Sequence, residues 1–328
     1  MRVKPSVTVS APARLHFGLL DCGNTSLRVF GGAGASIDGF RTVVQAERSQ
    51  GWKLNFPQHP PSDRLASDVA ELLKHLKLSG LASSDISIQS TPAEHMGLGS
   101  KTSLLLSIVH AVNYLNDSTL SREEVIRLSG RGGTSGIGVN VFWSGGIITD
   151  SGHKSERGSR DFQPSSSRKY NDPPKLLVHV KSHPHLRVRL FRDSNANSIE
   201  GVIEREAFRS LMPIADVENL KAIAAVYQGV IPAFQSDDMA LLANALHELN
   251  TSGMKAAEAA FQSNTTKQWL ARCWQNSIPA GLSSFGPIVY SIGHVGSDLL
   301  TSSSHLAKEC GLDELGEYSF DHKGATVS

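Results

Sequence analysis

Two glycines separated by one residue lead into an apolar run in Thr91-Pro-Ala-Glu-His-Met-Gly-Leu-Gly-Ser-Lys-Thr-Ser103, and these residue types suit an anion. Leu104, Leu105, Ile108, Val109, Val112 and Leu115 recur at helical spacing, which predicts a helix over 100–116 with Ser100 to Ser103 in its first turn. Backbone N–H groups there have no intrahelical partner and suit phosphate. Gly97 and Gly99, flanking Leu98, let the backbone approach a bulky polyanion; Ser100 and Thr102 add hydroxyls, and Lys101 adds charge. The alternative is a tight turn capped by Ser100. A P-loop is excluded because Ser100 stands where glycine must precede the lysine, and a dinucleotide fingerprint because Thr102 replaces the third glycine.

Further segments accompany this loop. Ser10-Ala-Pro-Ala-Arg-Leu-His-Phe-Gly-Leu-Leu-Asp21 and Arg28-Val-Phe-Gly-Gly-Ala-Gly34 precede it, and Gly281-Leu-Ser-Ser-Phe-Gly-Pro-Ile-Val-Tyr290 lies far downstream. With the glycine loop they resemble the three ordered motifs of the GHMP kinase superfamily. Gly130-Arg-Gly-Gly-Thr-Ser-Gly-Ile-Gly138, Gly145-Gly146 and Asp150-Ser-Gly-His153 resemble, more narrowly, the β-ribofuranosylaminobenzene 5′-phosphate synthase family of methanopterin biosynthesis. The likeness is good over residues 7–153 and 279–292 and weak between them.

The departures also inform. The kinases place a catalytic aspartate where this chain has Val139, and a magnesium-facing serine where it has Lys101. A missing base removes about 10²–10⁴-fold in rate from phosphoryl transfer. The synthases use the scaffold otherwise: phosphoribosyl pyrophosphate gives its anomeric carbon to an aromatic ring carbon bearing a carboxylate, and carbon dioxide and pyrophosphate leave. Loss of CO₂ restores aromaticity, so no strong base is required. Each donor aimed at the developing charge can contribute roughly 2.7–4 kcal/mol.

The resemblance implies roles. Lys101, Arg14 and His95 are the catalytic candidates. Gly97, Leu98, Gly99, Ser100, Lys101 and Thr102, with Thr134, Ser135 and Gly136 as a second nest, would bind phosphoribosyl pyrophosphate. His16, Arg28, His153, Ser283 and Ser284 would face the aromatic ring or ribose. Asp21 and Asp150 are the candidate ligands for Mg²⁺ accompanying the pyrophosphate. Plain readings stand beside these: strand-edge charges for His16 and Arg28, turn aspartates, satisfied structural histidines and ordinary turn serines. The acceptor stays open between 4-aminobenzoate or 4-hydroxybenzoate and a pyrazole dicarboxylate of the formycin and pyrazofurin type, with a lean to the pyrazole because Lys101 could meet a second carboxylate. Two other function classes are an ATP-dependent small-molecule kinase and a non-catalytic phosphoribosyl pyrophosphate-binding protein.

Global properties suit a cytoplasmic enzyme. The chain has 328 residues, 32 basic and 31 acidic, and no basic stripe that would suit nucleic acid or a membrane surface. Cys22, Cys273 and Cys310 are widely spaced, arguing against a disulfide framework or zinc knuckle. His183-Pro184-His185 lacks further ligands at metal spacing. Small-molecule substrates are expected, and a homodimer is compatible with the sequence.

These residues need elements to hold them. Strands are predicted at 3–18, 35–48, 85–90, 145–150, 176–180, 187–191 and 287–292. Helices are predicted at 62–78, 100–116, 121–130, 202–211, 215–229, 236–249, 254–276 and 296–310. Grouped strands and helices argue for an α+β fold. The resemblance implies a GHMP kinase-like arrangement of a ribosomal-S5-like N-terminal domain (1–157), a linker (158–175) and a ferredoxin-like C-terminal domain (176–328). Residues after 311 read as an exposed tail.

Overall fold

The computed structural model describes residues 6–22, 28–57, 60–154, 173–194 and 212–328. Its spine is an antiparallel pair of long strands, β1 (Ser6–Leu20) and β3 (Gly31–Arg48). Between them lies β2 (Arg28–Val29), which pairs with β7 (His153–Lys154). One end of β3 pairs with β5 (Ser84–Ser90), which takes β4 (Lys53–Asn55) in parallel. The other end pairs with β6 (Ile147–Asp150), which continues to β8 (Leu176–Val180).

Alternation along the first half of β1 turns Val7, Val9 and Ala11 to one face, where Val44, Ala46, Ile86 and Ile88 join them. Three helices cover that face: α1 (Asp63–Leu78), α2 (Ser100–Leu115) and α3 (Arg122–Ser129). Ser62 caps α1 by accepting from the Leu65 amide, and Leu65, Val69, Leu72 and Leu76 form its buried stripe. α2 buries residues on nearly every side, as a helix sandwiched between sheet and helices must.

The second half of β1 serves another core. Leu15 and Phe17 meet Val188, Leu190, Tyr290 and Ile292 from a second, four-stranded antiparallel sheet. That sheet runs β10 (Ala280–Leu282), β11 (Ile288–His294), β9 (Leu186–Arg192), β12 (Asp313–Ser319). Helices α5 (Asp216–Ala225), α6 (Ile231–Ser236) and α7 (Met239–Thr251) close this core, with a π-helical turn (Val226–Val230) joining the first two. α8 (Gly253–Ala260) packs on β1 beside Leu19 and Cys22. On the other face of the second sheet, α9 (Asn264–Gln275) and α10 (Asp298–Cys310) bury Trp269, Leu270, Cys273 and Ala307.

The α+β expectation holds, and four local expectations change. Residues 313–319 are a strand, and β13 (Thr326–Val327) pairs with β1, so the stretch after 311 is ordered sheet. β8 and β13 join the first sheet, which therefore draws on residues from both sides of the predicted 158–175 linker. The expected helix 254–276 is split, because Ser263 accepts from the Thr266 amide and starts α9 afresh. An unpredicted helix, α4 (Ile137–Ser144), grows from the second glycine-rich segment. The helix predicted at 202–211 and most of the linker lie outside the described residues. No helix among the described residues is long and apolar enough to cross a membrane.

Candidate active site

The glycine loop owes its shape to both glycines. Gly97 and Gly99 have φ of 80° and 75°, and a β-carbon would lie 2.2 Å from the Ser283 carbonyl oxygen at the first and 2.7 Å from Arg14 Cγ at the second. Gly99, not Ser100, occupies the N-cap of α2, and no side chain caps the helix. The amides of Thr102 and Ser103 close onto the Gly99 carbonyl at 3.0 and 3.1 Å. The Gly97 carbonyl accepts from Arg14 Nη1 at 2.9 Å and from Ser283 Oγ at 2.7 Å, while the Arg14 amide donates to Leu98 O at 3.0 Å. The first and third motifs thus hold the second through its carbonyls.

Around the first turn of α2 the charges are basic on balance. Lys101 is partly buried and ion-paired with Asp68 of α1, so its ammonium is already engaged. Burial pulls its pKa down, Asp68 opposes this, and Arg131 adds to the lowering. Arg131 donates from Nε to Thr102 Oγ1 at 3.1 Å. Arg14 and Arg131 are each lowered to about 10, chiefly by burial; Glu258 opposes this at Arg14 and Asp68 at Arg131.

His16 links the loops. It is 4% exposed; its amide donates to Ser283 Oγ at 3.1 Å, and Nε2 lies 3.0 Å from Ser135 Oγ. Burial, then Arg14 and Lys255, hold its pKa well below the ordinary value, so the ring is neutral near pH 7. Ser135 Oγ also accepts from the Ile137 amide at 3.2 Å, fixing the start of α4. Ser284, with φ of 56°, donates its amide to the His16 carbonyl at 3.4 Å.

The second nest is clasped from behind. His153 Nε2 lies 3.0 Å from the Thr134 carbonyl, and both residues are buried. Arg28 donates to Ser151 O at 2.7 Å, Ser151 Oγ at 3.2 Å and Gly152 O at 2.8 Å, bracing the turn after β6. His153 and Arg28 therefore grip loop backbone, in contrast to the ring or ribose contact expected of them. Asp150 is 2% exposed and accepts from the Gly152 amide at 2.8 Å. Its Oδ2 makes no hydrogen bond, although β-carbons added at Gly136 and Gly32 would lie 3.0 and 3.3 Å away. Burial pushes its pKa up to about 7, against the pull of the Gly152, Gly136 and Gly32 amides and of Arg28.

Asp21 is 5% exposed with φ of 52°, and its carbonyl accepts from the Phe30 amide at 3.0 Å. His95, at φ of 60°, stands at the rim ahead of the glycine loop. Among the described residues no three His, Cys, Asp or Glu side chains gather as a metal cage. A magnesium ion needs only one or two protein carboxylates, and Asp150 Oδ2, buried and without a hydrogen-bond partner beside Gly32 and Gly136, would offer one. Val139 is 1% exposed in the core beneath α2.

Sequence reasoning missed Lys255 and Glu258, which form a buried ion pair of 2.6 Å behind His16. A lysine and a glutamate three apart on a helix ordinarily read as a solvated pair. Arg131 was visible only as part of its segment. The assembled groups can stabilise a departing polyanion, and the one histidine at their centre is neutral.

Residues 64–146 match the model of the GHMP kinases N terminal domain. The chain is 29% identical to "Beta-ribofuranosylphenol 5'-phosphate synthase" of Methanothermobacter thermautotrophicus, covering 87% of this chain and 88% of that one. The protein of the same name from Methanocaldococcus jannaschii is 26% identical, over 87% and 89% of the two chains. In fold the chain is similar to a homoserine kinase from Cytophaga hutchinsonii, with a TM-score of 0.71 at 15% identity, over 100% of this chain and 99% of that one. A phosphomevalonate kinase from Streptococcus pneumoniae gives 0.67 at 10% identity, over 96% and 99%. The chain thus carries a match to the GHMP kinases N terminal domain over residues 64–146 and is similar along most of its length to beta-ribofuranosylphenol 5′-phosphate synthases.

Proposed function

We propose that this chain is a phosphoribosyl pyrophosphate-dependent, decarboxylating C-ribosyltransferase. The observation that carries the reading is Val139: the anion-binding loops are intact, but the position of the kinase base is a buried core residue. In the proposed reaction the bond from the anomeric carbon to pyrophosphate breaks, and its electron pair leaves with the pyrophosphate. The carboxyl-bearing ring carbon forms the new bond to the sugar. The carbon–carboxylate bond then breaks, and its electrons restore the aromatic ring, so the products are the C-riboside 5′-phosphate, CO₂ and pyrophosphate.

In this reading the start of α2, with Arg14, Arg131 and Lys101, receives the pyrophosphate, and the start of α4 receives the 5′-phosphate. Asp150, beside Gly32 and Gly136 at the start of α4, would hold a Mg²⁺ ion on the 5′-phosphate side of the donor, where the ion would supply charge neutralisation. Neutral His16 orients Ser135 without acting as a strong base.

For the acceptor, the names of the relatives favour a carboxylated phenol. The lean to a pyrazole dicarboxylate needs Lys101 to meet a second carboxylate, and in this reading Lys101 is shared between Asp68 and the pyrophosphate. The deciding experiment measures pyrophosphate release from phosphoribosyl pyrophosphate and Mg²⁺ with 4-hydroxybenzoate, 4-aminobenzoate or 4-amino-pyrazole-3,5-dicarboxylate, with products identified by mass. Release with 4-hydroxybenzoate is expected. Release with none, together with ATP consumption on a hydroxylated acceptor, would overturn the reading in favour of a kinase.

A further inference from the structure

We infer that Lys255 and Glu258 on α8 form a positioning pair that holds His16 and the Ser283–Ser284 turn against the glycine loop. The two side chains are 0% and 3% exposed, with Nζ 2.6 Å from Oε2. Lys255 Nζ also donates to the His16 carbonyl at 3.4 Å, the same oxygen that accepts the Ser284 amide at 3.4 Å. On the amide side of His16 the path continues: its N–H donates to Ser283 Oγ, which donates to Gly97 O, which also accepts from Arg14. One continuous series of contacts therefore runs from α8 through β1 and the third motif to the turn that starts α2.

The surroundings make a purely stabilising role a poor account. α8 contributes Met254 and Ala257 to an apolar cluster with Leu19, Cys22, Phe30 and Phe285. An ion pair buried in such a setting seldom adds stability over well-packed apolar side chains, because desolvation offsets the attraction. The charged and titratable groups around it are Arg14, His16 and Cys22. Glu258 raises the pKa of both Arg14 and Lys255, against the burial that lowers each. Removing the pair would loosen the bracket on Gly97 and leave Arg14 without its counter-charge.

The test replaces both members, Lys255→Met with Glu258→Leu, so that neither charge is buried alone. The single Glu258→Leu variant serves as a folding control, expected to lower Tm because Lys255 is left buried beside Arg14 with no carboxylate to offset the two charges. For the double variant the expected results are a Tm at or above that of the wild type and faster hydrogen–deuterium exchange in peptides spanning His16, Gly97–Ser103 and Gly281–Gly286. Turnover should fall about 10- to 100-fold through displacement of the donor site. Unchanged exchange in those peptides, or turnover within twofold of the wild type, would overturn the inference. The turnover arm rests on the synthase reading, whereas the exchange arm does not. A wild type that releases no pyrophosphate would sink that reading and still leave the pair to be judged by exchange.

Discussion

The loop ahead of α2 and the loop ahead of α4 each lead into a helix start, and Arg131 of the second reaches Thr102 of the first, but they are braced by different chemistry. The first is gripped through its own carbonyls by Arg14 and Ser283, groups that do not titrate near neutrality. The second is held by His16 through Ser135 and by His153 through the Thr134 carbonyl, with the buried Asp150 carboxylate behind it, and burial shifts the titration of His16 and Asp150. The contrast assigns rigidity to the first loop and proton sensitivity to the second.

The strongest way to break the comparison is Gly97→Ala. Its β-carbon would collide with the Ser283 carbonyl at positive φ, and backbone flanks both sides. A stability loss of about 1–3 kcal/mol is expected from the strained backbone. Turnover should fall roughly 10²-fold or more as the loop is displaced. Pyrophosphate release and thermal unfolding measure both, and a variant with normal donor affinity would contradict the loop geometry. Arg14→Met should lower turnover about 10²-fold. Because Ser283 still holds Gly97, the exchange of residues 97–103 should rise less than in Gly97→Ala.

The second loop is tested by pH. An aspartate raised from 3.8 to about 7 makes the folded state bind the extra proton between those values, so its penalty is absent below pH 3.8 and complete above about 7. Asp150→Asn should therefore unfold like the wild type near pH 4 and be more stable by about 2–4 kcal/mol at pH 8. A constant difference across that range would show that Asp150 does not titrate as its burial demands. His16 acts with the opposite sign. Held below 6.5, it costs nothing at high pH and destabilises as pH falls below that value. His16→Gln should remove that acid-side loss, and denaturant unfolding at pH 5 and 7 would detect it.

The smallest effect is assigned to Lys101→Ala. Its pair with Asp68 is partly exposed, so stability should change by less than about 1 kcal/mol. Turnover should fall less than for Arg14→Met, since Arg131 also serves the first turn. An equal loss would move Lys101 to the centre of the site.

What could be read from the sequence follows local periodicity. Val7, Val9 and Ala11 alternate, and Leu104 through Leu115 recur at helical spacing, so β1 and α2 were legible. The glycine pair was legible as a loop, but one reason for it was not: Gly97 makes room for the Ser283 carbonyl, an approach between residues far apart in the chain. α4 hid because its apolar residues begin inside a glycine-rich stretch. β12 carries acidic residues on a sheet edge, and Arg189 pairing with Glu314 and Glu317 is a tertiary fact. Lys255 and Glu258 escaped because their burial depends on β1 and the third motif closing over α8.

The pairing of β13 with β1 carries a consequence for synthesis. Val9 and Ser10 find their partners in Val327 and Thr326, and Arg41 ties Ser10 to Asp321 and Gly324. During translation the half of the molecule that carries the glycine loop emerges first, yet that border of its sheet waits for residues made almost a whole chain later. Until they arrive, β1 presents bare backbone to any passing strand, the setting in which nascent chains aggregate or recruit a chaperone.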